Sequence, residues 1–427
     1  MSPVSRSRKS KKKSGAKRPA TRTALGSERS AWSGLQEQFG GPRERPVWFD
    51  EAIAEVLGGA DALRGARGPR ELEQAGAELI GAQLQRVLQA GRSGLWLDWW
   101  FEELVDAALA RFAQARDRGD EAWQGSWLLL HALTSLGSPA LASMAQYRIN
   151  VARKRLGPDG RVQPAWLRQL AKIAATGEVW QARDVYGGRF AVIAGFEYPG
   201  GTDSSVFLFD IDASGFLDLI SAGVYDDLAQ AAAAWRDLVG DSATADPVPV
   251  RDVGDLACLV QFDSGEMALR GDESRARMDN WYRADRRVHD LAHALDKRGT
   301  PLQFDVSLYD GVDLEPMADA FAAWHVEQFG TGPGRDAVLA LAEEWSEGAL
   351  PGTQHVISPR RIEHILALVG DWLEDPVTEE VKALFPRWVR WHGEQAGLPE
   401  ELIRASVELA TTSAPAPADP ADPVEHP

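Results

Sequence analysis

The sequence has a single cysteine, Cys258, among its 427 residues. One thiol excludes an internal disulfide and a zinc site built from several cysteines. The chain also has no apolar run of the roughly 18–20 residues that a membrane helix needs, and no signal-peptide-like run follows its basic N-terminus. We therefore expect a cytoplasmic protein in a reducing compartment, with no membrane partner.

The sequence lacks the short motifs of common catalytic sites. It has no HExxH, no GxSxG, no phosphate-binding P-loop and no ExxH of the di-iron type. The glycines of FGTGPGR, residues 329–335, follow a helical segment rather than a strand, which indicates a loop between helices rather than a dinucleotide site. Cys258 lies in the apolar run ACLV with no local sign of activation. These absences favour a protein that is not an enzyme and binds no cofactor.

Charge is distributed unevenly along the chain. The whole sequence has 46 Lys and Arg against 63 Asp and Glu, yet residues 1–22 hold nine of the basic residues and no acid. A segment so charged and so poor in apolar residues cannot bury enough surface to fold. It predicts a sequence-independent electrostatic contact with nucleic acid or ribonucleoprotein, and the alternative is a solubilising end with no specific partner. The candidate contact residues are Arg6, Arg8, Lys9, Lys11, Lys12, Lys13, Lys17 and Arg18.

The period of the apolar residues changes twice along the chain. Helical spacing over the first and last thirds encloses a stretch of short β-prone runs separated by glycine-rich turns. This order predicts an α+β protein that is predominantly helical, in which two helical regions flank a small antiparallel β-meander with a covering helix. The expected parts are a disordered basic tail, a helical domain, the meander with its helix, a second helical domain and a disordered acidic tail, at residues 1–45, 46–176, 177–245, 246–410 and 411–427.

The stretch DIDASGFLD, residues 210–218, resembles a calcium loop in its spacing of oxygen side chains. An EF-hand loop that starts at Asp210 needs a bidentate Glu at its twelfth position, where this chain has Ser221. The flanking residues are strand-like, so an acidic turn after a strand is the simpler interpretation. Weak divalent-metal binding by Asp210 and Asp212 stays open, as does an exposed acidic sheet face that binds another protein.

A second cluster lies in RRVHDLAHALDKRG, residues 286–299. His289 and His293 are four residues apart, so both rings can approach one ion from the same side of a helix. With Asp290 they are similar to the His-Asp step of HD-type phosphohydrolases, which implies a metal-dependent hydrolase as the alternative function. The buried stripe of this helix places both histidines toward solvent, and the one upstream histidine, His131, lies in an apolar helix.

Three segments carry a resemblance to known sequences. WQARDVYGGRFAVIAGFEYPGG with VFLFDID, then SPRRIEHILALVGDWL, then FPRWVRWHGEQAGLPEEL resemble a family of uncharacterised proteins from high-GC bacteria. The resemblance implies the same order of helices, small sheet and helices. It implies no activity, cofactor or catalytic residue.

Overall fold

The structure is a computed structural model in which the chain divides into two units, Met1–Glu44 and Arg45–Pro427. It describes residues 44–91, 96–156, 164–199, 203–213, 218–243, 245–251, 273–302, 313–347, 353–370 and 376–412, with the single residues 256, 259, 269, 349 and 372. The predicted basic-tail residues, the tail after residue 412, Cys258 and the turn at 214–217 lie outside these ranges. All elements described below belong to the second unit.

The first part of the described chain is helical, as the apolar spacing predicts. Phe49, Ile53 and Val56 lie on one face of the first helix and are buried. Pro139 begins its helix, a position where its fixed φ fits and its missing N–H is not needed. The α-helices are α1 (Trp48–Gly59), α2 (Pro69–Gln89), α3 (Leu97–Asp117), α4 (Trp123–Leu136) and α5 (Pro139–Leu156), with 3₁₀ helices at Ala60–Gly65 and Ala165–Lys172.

An antiparallel sheet follows the helices. Its strands are β1 (Ala174–Arg183), β2 (Arg189–Glu197), β3 (Ser204–Asp212), β4 (Asp218–Tyr225) and the short β5 (Val248–Pro249), in the spatial order β4-β3-β2-β1-β5. Gly187 has a φ of +77°, which a residue without a Cβ adopts readily, and it turns β1 into β2. Asp184 supports this turn because its carboxylate accepts from the N–H groups of Gly188 and Arg189, at 2.9 and 3.1 Å.

Both faces of the sheet are covered. Phe207, Phe209 and Ile211 point to one face, where they join the core of the preceding helices. The alternate residues of β2 and β3 pack on helix α6 (Leu228–Val239), whose Ala231 and Trp235 are buried. The prediction of an alanine-rich covering helix is thereby confirmed.

Helices return after the sheet. Helices α7 (Arg275–Asp279) and α8 (Trp281–Lys297) contribute Met278, Val288 and Leu291 to the first core. This core therefore contains residues that precede the sheet and residues that follow it in the sequence. A second core, built around Trp345, Trp388 and other apolar side chains, joins the remaining helices. These are α9 (Leu314–Phe329), α10 (Arg335–Ser346), α11 (Pro359–Gly370), α12 (Pro376–Gln395) and α13 (Glu400–Thr412).

The fold class predicted from the sequence is confirmed, since the structure is mainly helical with one small antiparallel sheet. Among the described helices, none combines the length and the apolar character that crossing a bilayer requires.

Candidate functional site

Asp210 and Asp212, the two predicted metal ligands of the sheet, are buried. Their exposed fractions are 0% and 5%, so the expectation of a solvent-exposed acidic face is wrong. The Arg189 guanidinium donates two hydrogen bonds to Asp210, at 2.8 and 2.6 Å, and the Trp235 indole N–H donates a third at 3.1 Å. The reason for the burial is α6, which covers this face and brings its tryptophan onto the carboxylate.

The third acid of this stretch, Asp218, joins three parts of the fold. Arg277 of α7 donates to its Oδ1 and Arg360 of α11 donates to its Oδ2, both at 2.8 Å. Arg360 also lies 3.2 Å from Asp212. Each carboxylate therefore has an arginine partner, which leaves the acids of β3 and β4 in ion pairs rather than converging on a shared metal position.

A second buried network surrounds Glu73 of α2, which is fully buried. Arg287 donates to one carboxylate oxygen, and the Tyr198 hydroxyl donates to the other at 2.5 Å. Arg283 lies 4.0 Å from the same carboxylate and also donates to Gln74. Burial raises the pKa of Tyr198, and the neighbouring Glu73 charge acts in the same direction. The network ties α2 and β2 to α8, and sequence analysis missed it because its arginines share the face of the apolar stripe.

The predicted hydrolase residues lie on α8 but do not converge on one point. His289 is hydrogen-bonded through Nδ1 to the Asp285 carbonyl, at 2.8 Å. Asp290 accepts from Arg286 at 2.8 Å and from Arg287 at 3.1 Å, so both of its oxygens already have cationic partners. Within the described residues, no three His, Cys, Asp or Glu side chains are placed to hold a metal ion.

Asp290 and His293 do line an open cleft of about 450 Å³ between α8 and the start of β1. Its lining includes four alanines and the cationic side chains of Arg286, Lys297 and Arg298. Asp290 is the one acid among the lining residues, which are Ala171, Ile173, Ala174, Ala175, Thr176, Arg286, Asp290, His293, Ala294, Lys297 and Arg298. Arg298 is held by the Thr176 and Gly177 carbonyls. The cleft is therefore cationic, which favours an anion over a metal ion.

The second core contains a histidine pair that sequence spacing did not reveal. The Nδ1 atoms of His355 and His392 are 2.8 Å apart, so one ring donates and the other accepts. Burial, the neighbouring His355 and Arg361 lower the pKa of His392 well below its usual value. Arg361 lies over the Trp345 ring and bonds to main-chain carbonyls; its burial lowers its pKa to about 9. This cluster holds the segment before α11 against α12.

The sequence also contains a basic stretch that sequence analysis missed. Residues 148–172 contain seven Lys and Arg against the single acid Asp159, in a chain where acids predominate. Counting charge in a sliding window would have found it, because only the N-terminal tail has a comparable excess. Within this stretch Lys154, Arg168 and Lys172 are exposed. The pKa of Arg153 is lowered by burial and by the charge of Arg168.

Comparisons with protein-family models, with curated proteins and with solved structures found no match to this chain. The resemblance noted in the sequence thus stays a prediction, and function has to be argued from the residues themselves.

Proposed function

We propose that this chain is a cytoplasmic, non-enzymatic interaction protein that its basic N-terminal tail tethers to nucleic acid or ribonucleoprotein. The observation that carries the proposal is the segregation of charge: residues 1–22 have nine Lys and Arg and no acid, in a chain with 63 Asp and Glu. Such a tail gains affinity by releasing the counterions condensed on a polyanion.

The ion pairs of the acidic side chains support binding rather than catalysis. Asp210, Asp218 and Asp290 each accept hydrogen bonds from arginine guanidinium groups. A carboxylate whose oxygens already accept from guanidinium groups has less room to accept a proton from a substrate. Glu73 is likewise enclosed by Arg287 and Tyr198. These acids stabilise the fold in place of reacting.

The tail proposal is tested with full-length protein in which the eight candidate Lys and Arg of the tail are replaced by Gln. Fluorescence anisotropy with a single-stranded oligonucleotide gives the affinity over a range of salt concentrations. Eight lost phosphate contacts reduce the slope of log K against log salt by about 6. A control in which the order of residues 1–22 is shuffled should keep the affinity of the parent, because the contact depends on the charge of the tail and not on its order. Equal binding by the Gln variant and the parent at low salt would refute the tether.

A metal-dependent hydrolase acting on phosphoesters is the second candidate. The observation that favours it is the position of Asp290 and His293, one turn apart on α8 and both lining the cleft. Elemental analysis of protein purified without a His tag tests it, with His293→Ala as the variant. One equivalent of metal that this variant loses would support a hydrolase, and less than about 0.1 equivalent after metal titration would end the idea.

A further inference from the structure

The folded part of the chain has a basic surface that is separate in sequence from the tail. It consists of side chains from the C-terminal half of α5, the 3₁₀ helix Ala165–Lys172 and the end of α8. We call the following six residues the basic face: Arg153, Lys154, Arg168, Lys172, Lys297 and Arg298.

Three observations relate the elements that carry these cations. The Arg153 pKa is lowered by burial and by the charge of Arg168, which places the end of α5 close to the 3₁₀ helix. The residues on either side of Lys172 line the same cleft as Lys297 and Arg298. Arg286 of α8 also donates to the Ala171 carbonyl, at 3.1 Å. Lys172, Lys297 and Arg298 therefore lie around one cleft, and the charge of Arg168 reaches the end of α5.

Four of these cations can bind an anionic ligand through their charge. Lys154, Arg168, Lys172 and Lys297 are exposed, and no carboxylate of the described residues lies within ion-pair distance of any of them. The acid within the cleft, Asp290, is neutralised by two arginines. A local excess of cations on a chain of net charge −17 gives this surface a positive potential, which favours the approach of an anion.

An exposed aromatic side chain lies on the same helix as one of these cations. Tyr147, Val151 and Lys154 are spaced at i, i+4 and i+7 on α5, so they share one helix face. Tyr147 is 62% exposed and Val151 is 46% exposed. An exposed aromatic ring on the same helix face as a lysine lets one unpaired strand stack a base on the ring and place a phosphate at the cation.

We propose that the basic face is a second nucleic-acid contact, in which Lys154, Arg168, Lys172 and Lys297 bind phosphates of a single strand and Tyr147 stacks on a base. This inference rests on the proposed association with nucleic acid, but it assigns the contact to the folded part of the chain. It predicts that binding persists, more weakly, when the tail is neutralised.

The experiment combines two sets of substitutions in the full-length chain. One set neutralises the eight tail residues, and the other changes the four phosphate-binding residues of the basic face to Gln. Both are tested alone and together by anisotropy with a 20-nucleotide single strand and with its duplex. A matched control removes four cations from the second core's surface: Arg335→Gln, Lys382→Gln, Arg390→Gln and Arg404→Gln.

The basic-face variant should lose at least about tenfold in affinity and about 3 in its salt slope, in the presence and in the absence of the tail charges. The control should stay within about twofold of the parent, since it has the same net charge as the basic-face variant but keeps the four phosphate-binding residues. Tyr147→Ala should weaken binding to the single strand by about fivefold or more and leave the duplex unchanged.

Three results would overturn the inference. The first is a basic-face variant that binds like the control, and the second is tighter binding of the duplex than of the single strand. The third is binding of poly-glutamate as tight as that of the single strand, which would make the face a general polyanion site. Because the tail and the face are changed independently, a failure of the tail proposal shows in the tail variant alone.

Discussion

Replacing Glu73 by Gln should destabilise the first core severely although the shape of the side chain hardly changes. The substitution removes the carboxylate beside Arg283 and leaves Arg287 with Asp290 alone, and both arginines lie in the interior at exposed fractions of 1% each. Removing one partner of a buried ion pair costs about 3–5 kcal/mol, because the remaining charge loses water and counter-charge together. For a cooperative unit of this size, that loss lowers Tm by about 6–20 °C.

Calorimetry of the parent and the Glu73→Gln variant measures this loss directly. Glu78→Gln is the matched control, since Glu78 lies on the same helix but is exposed, and its Tm should change by less than about 2 °C. A double variant with Glu73→Gln and Arg287→Met should recover part of the loss, because it removes both members of the pair. A Glu73→Gln variant that melts within 2 °C of the parent, about the effect of a surface charge, would refute the reasoning.

Three further predictions concern stability. Arg277→Gln should cost about 3 kcal/mol of unfolding free energy and Arg360→Gln less than about 1 kcal/mol. The reason is burial, because the side chain of Arg277 is 8% exposed and that of Arg360 is 39% exposed. Equal losses in urea unfolding would contradict this prediction. Gly81→Ala should cost about 1–3 kcal/mol of unfolding free energy, since a Cβ there would lie 2.5 Å from the backbone of α7. Gly58→Ala is the control: a Cβ there meets open space, and the variant should be stabilised by up to about 1 kcal/mol. If both variants were stabilised in the same unfolding assay, the contact at Gly81 would be contradicted. Below pH 6.5 the unfolded chain takes up a proton at His392 that the folded core excludes, so this group alone should lower stability by up to about 1.4 kcal/mol per pH unit toward pH 5. Burial also lowers the pKa values of His131 and His355, so His392→Gln should reduce the slope of stability against pH without abolishing it, and an unchanged slope would contradict the reasoning.

The sequence predicts the architecture well because each element has a local signal. Helical spacing, the Gly187 turn and the alternation of Phe207, Phe209 and Ile211 are all readable within a few residues, and the structure confirms the helices and the meander. The alanine-rich segment after β4 is also found where its composition predicts, over the sheet.

The ion pairs could not be predicted in the same way. Asp210 meets an arginine 21 positions away, and Asp218 meets partners 59 and 142 positions away. No local pattern specifies such pairs. The sequence therefore predicts that the acids of β3 and β4 are exposed, although the structure buries them. The basic face is different, because the excess of cations in residues 148–172 is visible in the sequence once charge is counted locally.

The salt dependence of nucleic-acid binding by the unmodified full-length chain tests the central claim most directly. Contact through the cationic tail and basic face predicts that log K falls linearly and steeply with log salt, by several units of slope, and is indifferent to sequence. No measurable binding at low salt, or an affinity that does not change with salt, would contradict the account.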